Sequence, residues 1–188
     1  MPKEKTSLTG KTVLLGICAC TPAYRAIDLL KLLKHSGAVT KAAVTENAEN
    51  LVPTAILERV SGNPVSVSQF GNAFAWDPDR KTWGKKDDIL VIAPCTADMI
   101  GKLANGIADD FISTNAMAFP GPKVIAANMN PNFWANPAVR RNIAQLKEDG
   151  YLFVENPDPE KPSKMPDPET ILDFLKKVAE DLPEPEGS

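Results

Sequence analysis

The chain has 188 residues, of which 43% are hydrophobic and 24% charged, with a formal net charge of −3. That length suits one globular domain, and Lys and Arg scattered among acids leave no electrostatic footprint for nucleic acid. No apolar run approaches the ~20 residues that cross a bilayer, the first ten residues lack the apolar core of a secretory signal, and three cysteines, two in a Cys-x-Cys pair, make no disulfide framework, so a cytoplasmic protein with no membrane partner is expected.

Residues 11–17 (KTVLLGI) are aliphatic and β-branched, the pattern of a strand buried on both faces. Residues 22–34 place Ala23, Ala26, Ile27, Leu30 and Leu33 on one helical stripe, with Thr21 as N-cap, Pro22 at the first helical position and Gly37 as the stop. A second strand is expected over 39–44, then a helix over 51–60 opened by Pro53 and ended by Ser61-Gly62. Residues 63–86 have no clean period and read as a strand remnant plus a long loop. DILVIA at 88–93 is the clearest core strand. Helices follow over 97–104 and 111–118, a strand over 123–127, a helix over 136–149, a strand over 151–154 and a closing helix over 168–181. Residues 156–168 carry five prolines, and residues 1–10 and 183–188 are expected to fray.

Strands alternating with helices predict an α/β fold: a three-layer, doubly wound parallel sheet, Rossmann-like or flavodoxin-like, forming a single domain over 1–188. In such sheets ligands bind beyond the carboxyl ends of the strands. That directs attention to Cys18, Ala19, Cys20 and Thr21, to Thr45, Glu46 and Asn47, to Thr96, Ala97, Asp98 and Met99, and to residues 128–134. The first of these loops joins a strand to a helix N-terminus, where free N–H groups and the helix dipole suit a phosphate. A capped turn without a ligand is the alternative for that loop taken alone. It lacks Gly-x-Gly-x-x-Gly, which disfavours a dinucleotide bound in the usual way. Asn128, Asn130 and Asn132 follow a core strand closely, and their amides need partners in the loop or in a ligand. Cys18, Cys20 and Cys95 read as small packing residues, and no metal site is expected. His35, the single histidine, falls near the end of the first helix, where a cation favours the dipole, and is read as structural.

Four segments, 16–30, 44–64, 92–114 and 124–142, resemble in order the flavoprotein superfamily of FMN-dependent cysteine decarboxylases. This superfamily includes phosphopantothenoylcysteine decarboxylases, the peptide-cysteine decarboxylases of lantibiotic synthesis and dihydromethanopterin reductase-like flavoproteins. IAPCTADMIGKLANGIADDFIST is similar to its Pro-x-Ser/Thr-Ala-Asn-Thr loop and following helix, and NMNPNFW to its Pro-x-Met-Asn-x-x-Met-Trp motif. The resemblance implies a flavodoxin-like fold, FMN as cofactor, and a homo-oligomer, trimer or dodecamer. It implies FMN contacts at Ala19, Cys20 and Thr21 (with Cys18 beside them), Thr45, Glu46, Asn47, Thr96, Ala97, Asp98, Met99 and Asn128. Asn130 corresponds to the asparagine that holds a substrate carboxylate.

The sequence also departs from that pattern. The family's catalytic His falls fourteen residues before the Pro of the third loop, which is Arg80 here. The Cys-Gly flap after the last strand corresponds to residues 156–165, which contain no cysteine. The leading expectation is therefore a redox enzyme, dihydromethanopterin reductase-like, passing hydride or electrons from NAD(P)H or ferredoxin to a small acceptor. The alternatives are an oxidative decarboxylase of a cysteine-type thiol such as phosphopantothenoylcysteine, and a non-catalytic flavoprotein partner subunit. Phe70, Phe74, Trp76 and Trp83 are read as interface anchors or as packing against the chain's own core.

Overall fold

The computed structural model describes residues 6–69 and 88–182. Six parallel strands make one sheet: β1 Thr12–Ile17, β2 Val39–Val44, β3 Val65–Ser66, β4 Ile89–Cys95, β5 Lys123–Ala127 and β6 Leu152–Phe153, in the order β3-β2-β1-β4-β5-β6. The expected doubly wound α/β sheet is the fold observed.

Strand alternation sends successive side chains to opposite faces, and the two faces build two cores. Val13, Leu15 and Ile17 of β1 face one way, with Val44, Val91 and Val124 of the neighbouring strands. Helices α1 (Ala26–His35), α3 (Thr54–Ser61) and α8 (Pro168–Glu180) cover that face through Leu29, Leu33, Leu57, Ile171 and Leu175. Leu14, Ile92 and Ile125 face the other way, under α4 (Ala97–Ala104), α5 (Phe111–Ala118) and α7 (Pro137–Glu148). Gly16 lets α5 lie close on β1, since a Cβ there would meet Ile112 Cγ2 at 3.0 Å.

The observed elements differ from expectation at their ends and short turns. The first helix begins as a 3₁₀ turn, Thr21–Arg25, closed by Ala23 N donating to Cys20 O at 2.9 Å. Cys20, not Thr21, therefore occupies the N-cap position, and no side chain caps the turn. Pro22 has no N–H to give, and the chain closes the tighter i→i+3 turn on the Cys20 carbonyl. The helix expected over 51–60 is shorter, beginning at Thr54 after Pro53, and a separate single turn, α2 (Glu46–Glu49), precedes it. Another short helix, α6 (Pro131–Ala135), stands within what reads as a loop after β5. The remnant strand is Val65–Ser66, while the aromatic residues Phe70, Phe74, Trp76 and Trp83 lie outside the described residues. Gly37, at φ +84°, follows α1 where a left-handed residue is needed to turn the chain into β2. His35 closes α1 with Nδ1 2.7 Å from Lys31 O, on the exposed surface, in keeping with its structural reading. Among the described residues no helix is long and apolar enough to cross a membrane.

Candidate functional site

The strand order reverses between β1 and β4. The loops leaving those strands diverge to opposite faces, which opens a crevice at their carboxyl ends. A cavity of about 970 Å³ lies there. Every expected cofactor residue lines it: Cys18, Ala19, Cys20 and Thr21 after β1, Thr45, Glu46 and Asn47 after β2, Thr96, Ala97, Asp98 and Met99 after β4, and Asn128 after β5. Asn130, the expected substrate residue, stands on its rim. Arg80 lies outside the described residues.

Backbone bonds fix the loops against one another. Cys18 N donates to Pro94 O at 3.1 Å, joining the first and third loops, and Asn128 N donates to Cys95 O at 2.8 Å, joining the third and fourth. Thr96 caps α4, its Oγ1 accepting from Met99 N at 3.3 Å. The starts of the 3₁₀ turn and of α2, at the cavity end of the sheet, have no side-chain cap. These two sites differ in charge: Glu46 and Glu49 occupy the first turn of α2, whereas the turn after Cys20 holds no acid. A phosphate therefore fits the Cys18–Thr21 loop better than the Thr45–Asn47 loop.

The asparagines divide their work. Asn128 Oδ1 accepts from Met165 N at 3.2 Å, which pins the proline-rich segment onto the site. Asn130 Oδ1 accepts from Asn132 N at 2.9 Å and caps α6, so its amide nitrogen is the group left to donate outward. Cys20 is hydrogen-bonded to Asn128, yet burial, with Cys18 beside it, pushes its thiol up to about 12 against the opposing effects of that bond and of Lys164. Burial also raises the Cys95 thiol well above its ordinary value, with Cys18 bonded to it. Cys18 and Cys95 are buried and Cys20 half-buried, and the described residues hold no metal-ligating cluster.

Several lining residues were not among the candidates: Val67, Ser68, Gln69, Lys102, Asp109, Asp110, Phe111 and Lys164. Val67 to Gln69 follow β3, and the strand-end rule reaches them once that two-residue strand is recognised. Gln69 Nε2 bonds Asp110 O at 3.2 Å and the Thr114 hydroxyl, tying this stretch to α5. Lys102 Nζ lies 3.6 Å from Asp98 and 2.8 Å from both Asp109 and Asp110, which hold its ammonium protonated above the ordinary lysine value. Lys164 comes from a segment without hydrophobic period, and nothing in its local sequence signals a place on this wall.

A doubly wound α/β protein with a ligand-sized cavity at the sheet reversal is thus defined by its own geometry. A sequence model of the family described as Flavoprotein matches residues 1–180, and the chain belongs to that family. The Coenzyme A biosynthesis bifunctional protein CoaBC of Escherichia coli strain K12 is 34% identical over 175 residues, covering 89% of this chain and 43% of that protein. The chain spans about two-fifths of the length of the curated relatives it matches. Among solved structures, the FMN-dependent cysteine decarboxylase SpaF superposes with a TM-score of 0.73 at 30% identity, covering 92% of this chain and 99% of that one. TvaF, an FMN-dependent cysteine decarboxylase from thioviridamide biosynthesis, gives 0.76 at 25% identity, with 92% and 99% covered.

Proposed function

We propose that the chain binds FMN in the cavity at the sheet reversal and decarboxylates a cysteine-type thiol substrate. The observation that carries this reading is the convergence on one cavity of four strand-end loops, with the Asn130 amide at its rim. The relatives weigh the same way, since SpaF and TvaF are named as FMN-dependent cysteine decarboxylases. They favour the decarboxylase alternative over the hydride-transfer reading expected from the sequence.

FMN, when bound, supplies a two-electron acceptor. The chain's own residues do the rest. Backbone N–H groups of Cys20 and Thr21 receive the phosphate, at a strand-end turn that, unlike those after β2 and β4, has no acid in its first residues. The Asn130 amide nitrogen donates to the substrate carboxylate. Phe111 and Met129 give the cavity apolar wall, and the neutral thiol of Cys20 puts no competing nucleophile beside the substrate thiol. The homo-oligomer belongs to the same proposal. Phe133, on the cavity rim, is 59% exposed in the single chain, and a second copy would cover it.

The test is to load the purified chain with FMN and offer phosphopantothenoylcysteine and a peptide ending in cysteine, reading each by mass spectrometry for loss of carbon dioxide, with or without the two hydrogens that FMN takes up. Loss from either supports the decarboxylase. Bound FMN that NADPH bleaches, with no carbon dioxide released, returns the hydride-transfer reading. A chain that takes up no flavin refutes both. Light scattering on the loaded protein reads the oligomer.

A further inference from the structure

We infer that Lys164 is a specificity-determining residue that binds the carboxylate of the substrate, opposite the Asn130 amide. This rests on the decarboxylase reading of the same cavity, whose anion-binding end it identifies.

The cavity wall is acidic overall. Glu46, Asp98, Asp109 and Asp110 line it, and among the described residues the cations on it are Lys102 and Lys164. Lys102 is saturated by three carboxylates. Lys164 makes no ion pair with a carboxylate among the described residues, and its ammonium has one bond, to Met129 O at 3.3 Å. An ammonium carries three donors, so two remain for a ligand. An anion entering this cavity meets repulsion along most of its wall and attraction at the Lys164 end.

The position of Lys164 is also built. Met129 N donates to Ser163 O at 2.9 Å, Met165 N to Asn128 Oδ1 at 3.2 Å, and Asn156 Nδ2 to Lys164 O at 3.1 Å. The first two bonds lace both neighbours of Lys164 to the loop that carries Asn130, and the third ties its own carbonyl to Asn156. The same lysine lines a second cavity of about 360 Å³, walled by Trp134, Phe153 and Pro157 among others, so its side chain borders open space on two sides. A carboxylate held between the Asn130 amide and the Lys164 ammonium receives one neutral and one charge-assisted donor.

Two sources could supply such an anion, the substrate carboxylate or the FMN phosphate, and the experiment separates them. N-acetyl-L-cysteine and N-acetylcysteamine differ only by the carboxylate, and both are titrated calorimetrically into the FMN-loaded chain. The wild type should bind the first about tenfold more tightly, with a preference that shrinks as salt rises because Lys164 is exposed. Lys164→Gln should remove the preference while FMN affinity and melting temperature stay unchanged, and Lys164→Arg should restore it. Equal binding of the two probes by the wild type, or a preference that survives Lys164→Gln, overturns the inference. Loss of FMN from Lys164→Gln overturns it too, by assigning the cation to the cofactor phosphate. If the chain takes up no FMN, the titration is run without it. A preference dependent on Lys164 then upholds the anion site while the cofactor reading fails, and no preference refutes both.

Discussion

At Cys20 two requirements meet on one small side chain. It occupies the N-cap position of the first turn, where Ser, Thr, Asp or Asn would close the turn by accepting from its N–H groups. Pro22 has no N–H and Ala23 N is taken by the Cys20 carbonyl, so a cap has little to accept, and the thiol bonds Asn128 instead. Its elevated pKa has a direct chemical consequence. The thiolate is the reactive form, and a thiol raised to about 12 is almost wholly protonated at pH 8. Alkylation of Cys20 by iodoacetamide should run more than about a hundredfold slower than that of a free thiol, with a rate that climbs continuously toward pH 12. Peptide mass spectrometry over a time course reads this for each cysteine. Modification of Cys20 at pH 7 as fast as glutathione would mean that a thiolate lives in the site. Cys18 and Cys95 are buried and should react only through unfolding.

Helix α5 owes its start to a group that also faces the cavity. Asp110 accepts from Ser113 N at 2.8 Å, and Ser113 Oγ receives Asp110 N at 3.2 Å, a reciprocal cap. Burial alone would raise the Asp110 carboxyl, but the Lys102 bond and the Ser113 backbone bond outweigh it, and its pKa is lowered. A lowered folded-state pKa gives stability that is present above the unfolded value and lost as pH falls through the folded one. Asp110→Ala should cost about 1–2 kcal/mol in urea unfolding at pH 7, mostly as the lost cap. Asp110→Asn keeps a good cap and loses the ion pair, so it should cost less. Its deficit against the wild type should begin to shrink near pH 4 and vanish below the lowered folded-state pKa, and a deficit constant with pH would leave the ion pair no part in it. The same scale explains what could be read from the sequence. Strands β2 and β5 and helices α4 and α5 fall where periodicity puts them, because each buries a whole face against the sheet. The single turns α2 and α6 carry no such face; they are set by local caps such as Asn130 and by the strand ends they leave, which periodicity does not register.

Across the whole molecule, the site is a product of topology. The chain winds outward from β1 through β2 to β3, returns to place β4 on the other side of β1, and winds away again to β6. The crevice at that reversal gathers residues from position 18 to position 164, and it is made of loops rather than of one motif. The strand-end rule therefore finds the loops after β1, β2, β4 and β5 from sequence, while Lys164 and the Lys102 carboxylate cluster become visible only once helices and the proline-rich segment are packed. The cavity is a consequence of the fold, so a ligand filling it should stabilise the fold by mass action. FMN at about 100 times its dissociation constant should add about 2.7 kcal/mol. In a domain of this size each kcal/mol raises the melting temperature by about 2–4 °C, which predicts a rise of roughly 5–10 °C. Riboflavin, which lacks the phosphate, should give a clearly smaller rise at equal concentration if the Cys18–Thr21 turn receives that group. Differential scanning fluorimetry on the flavin-free chain reads both ligands in one experiment. Equal shifts would move the phosphate out of the first loop and leave only the ring system bound. No shift with FMN at saturating concentration would empty the crevice of its proposed cofactor, and with it the decarboxylase reading.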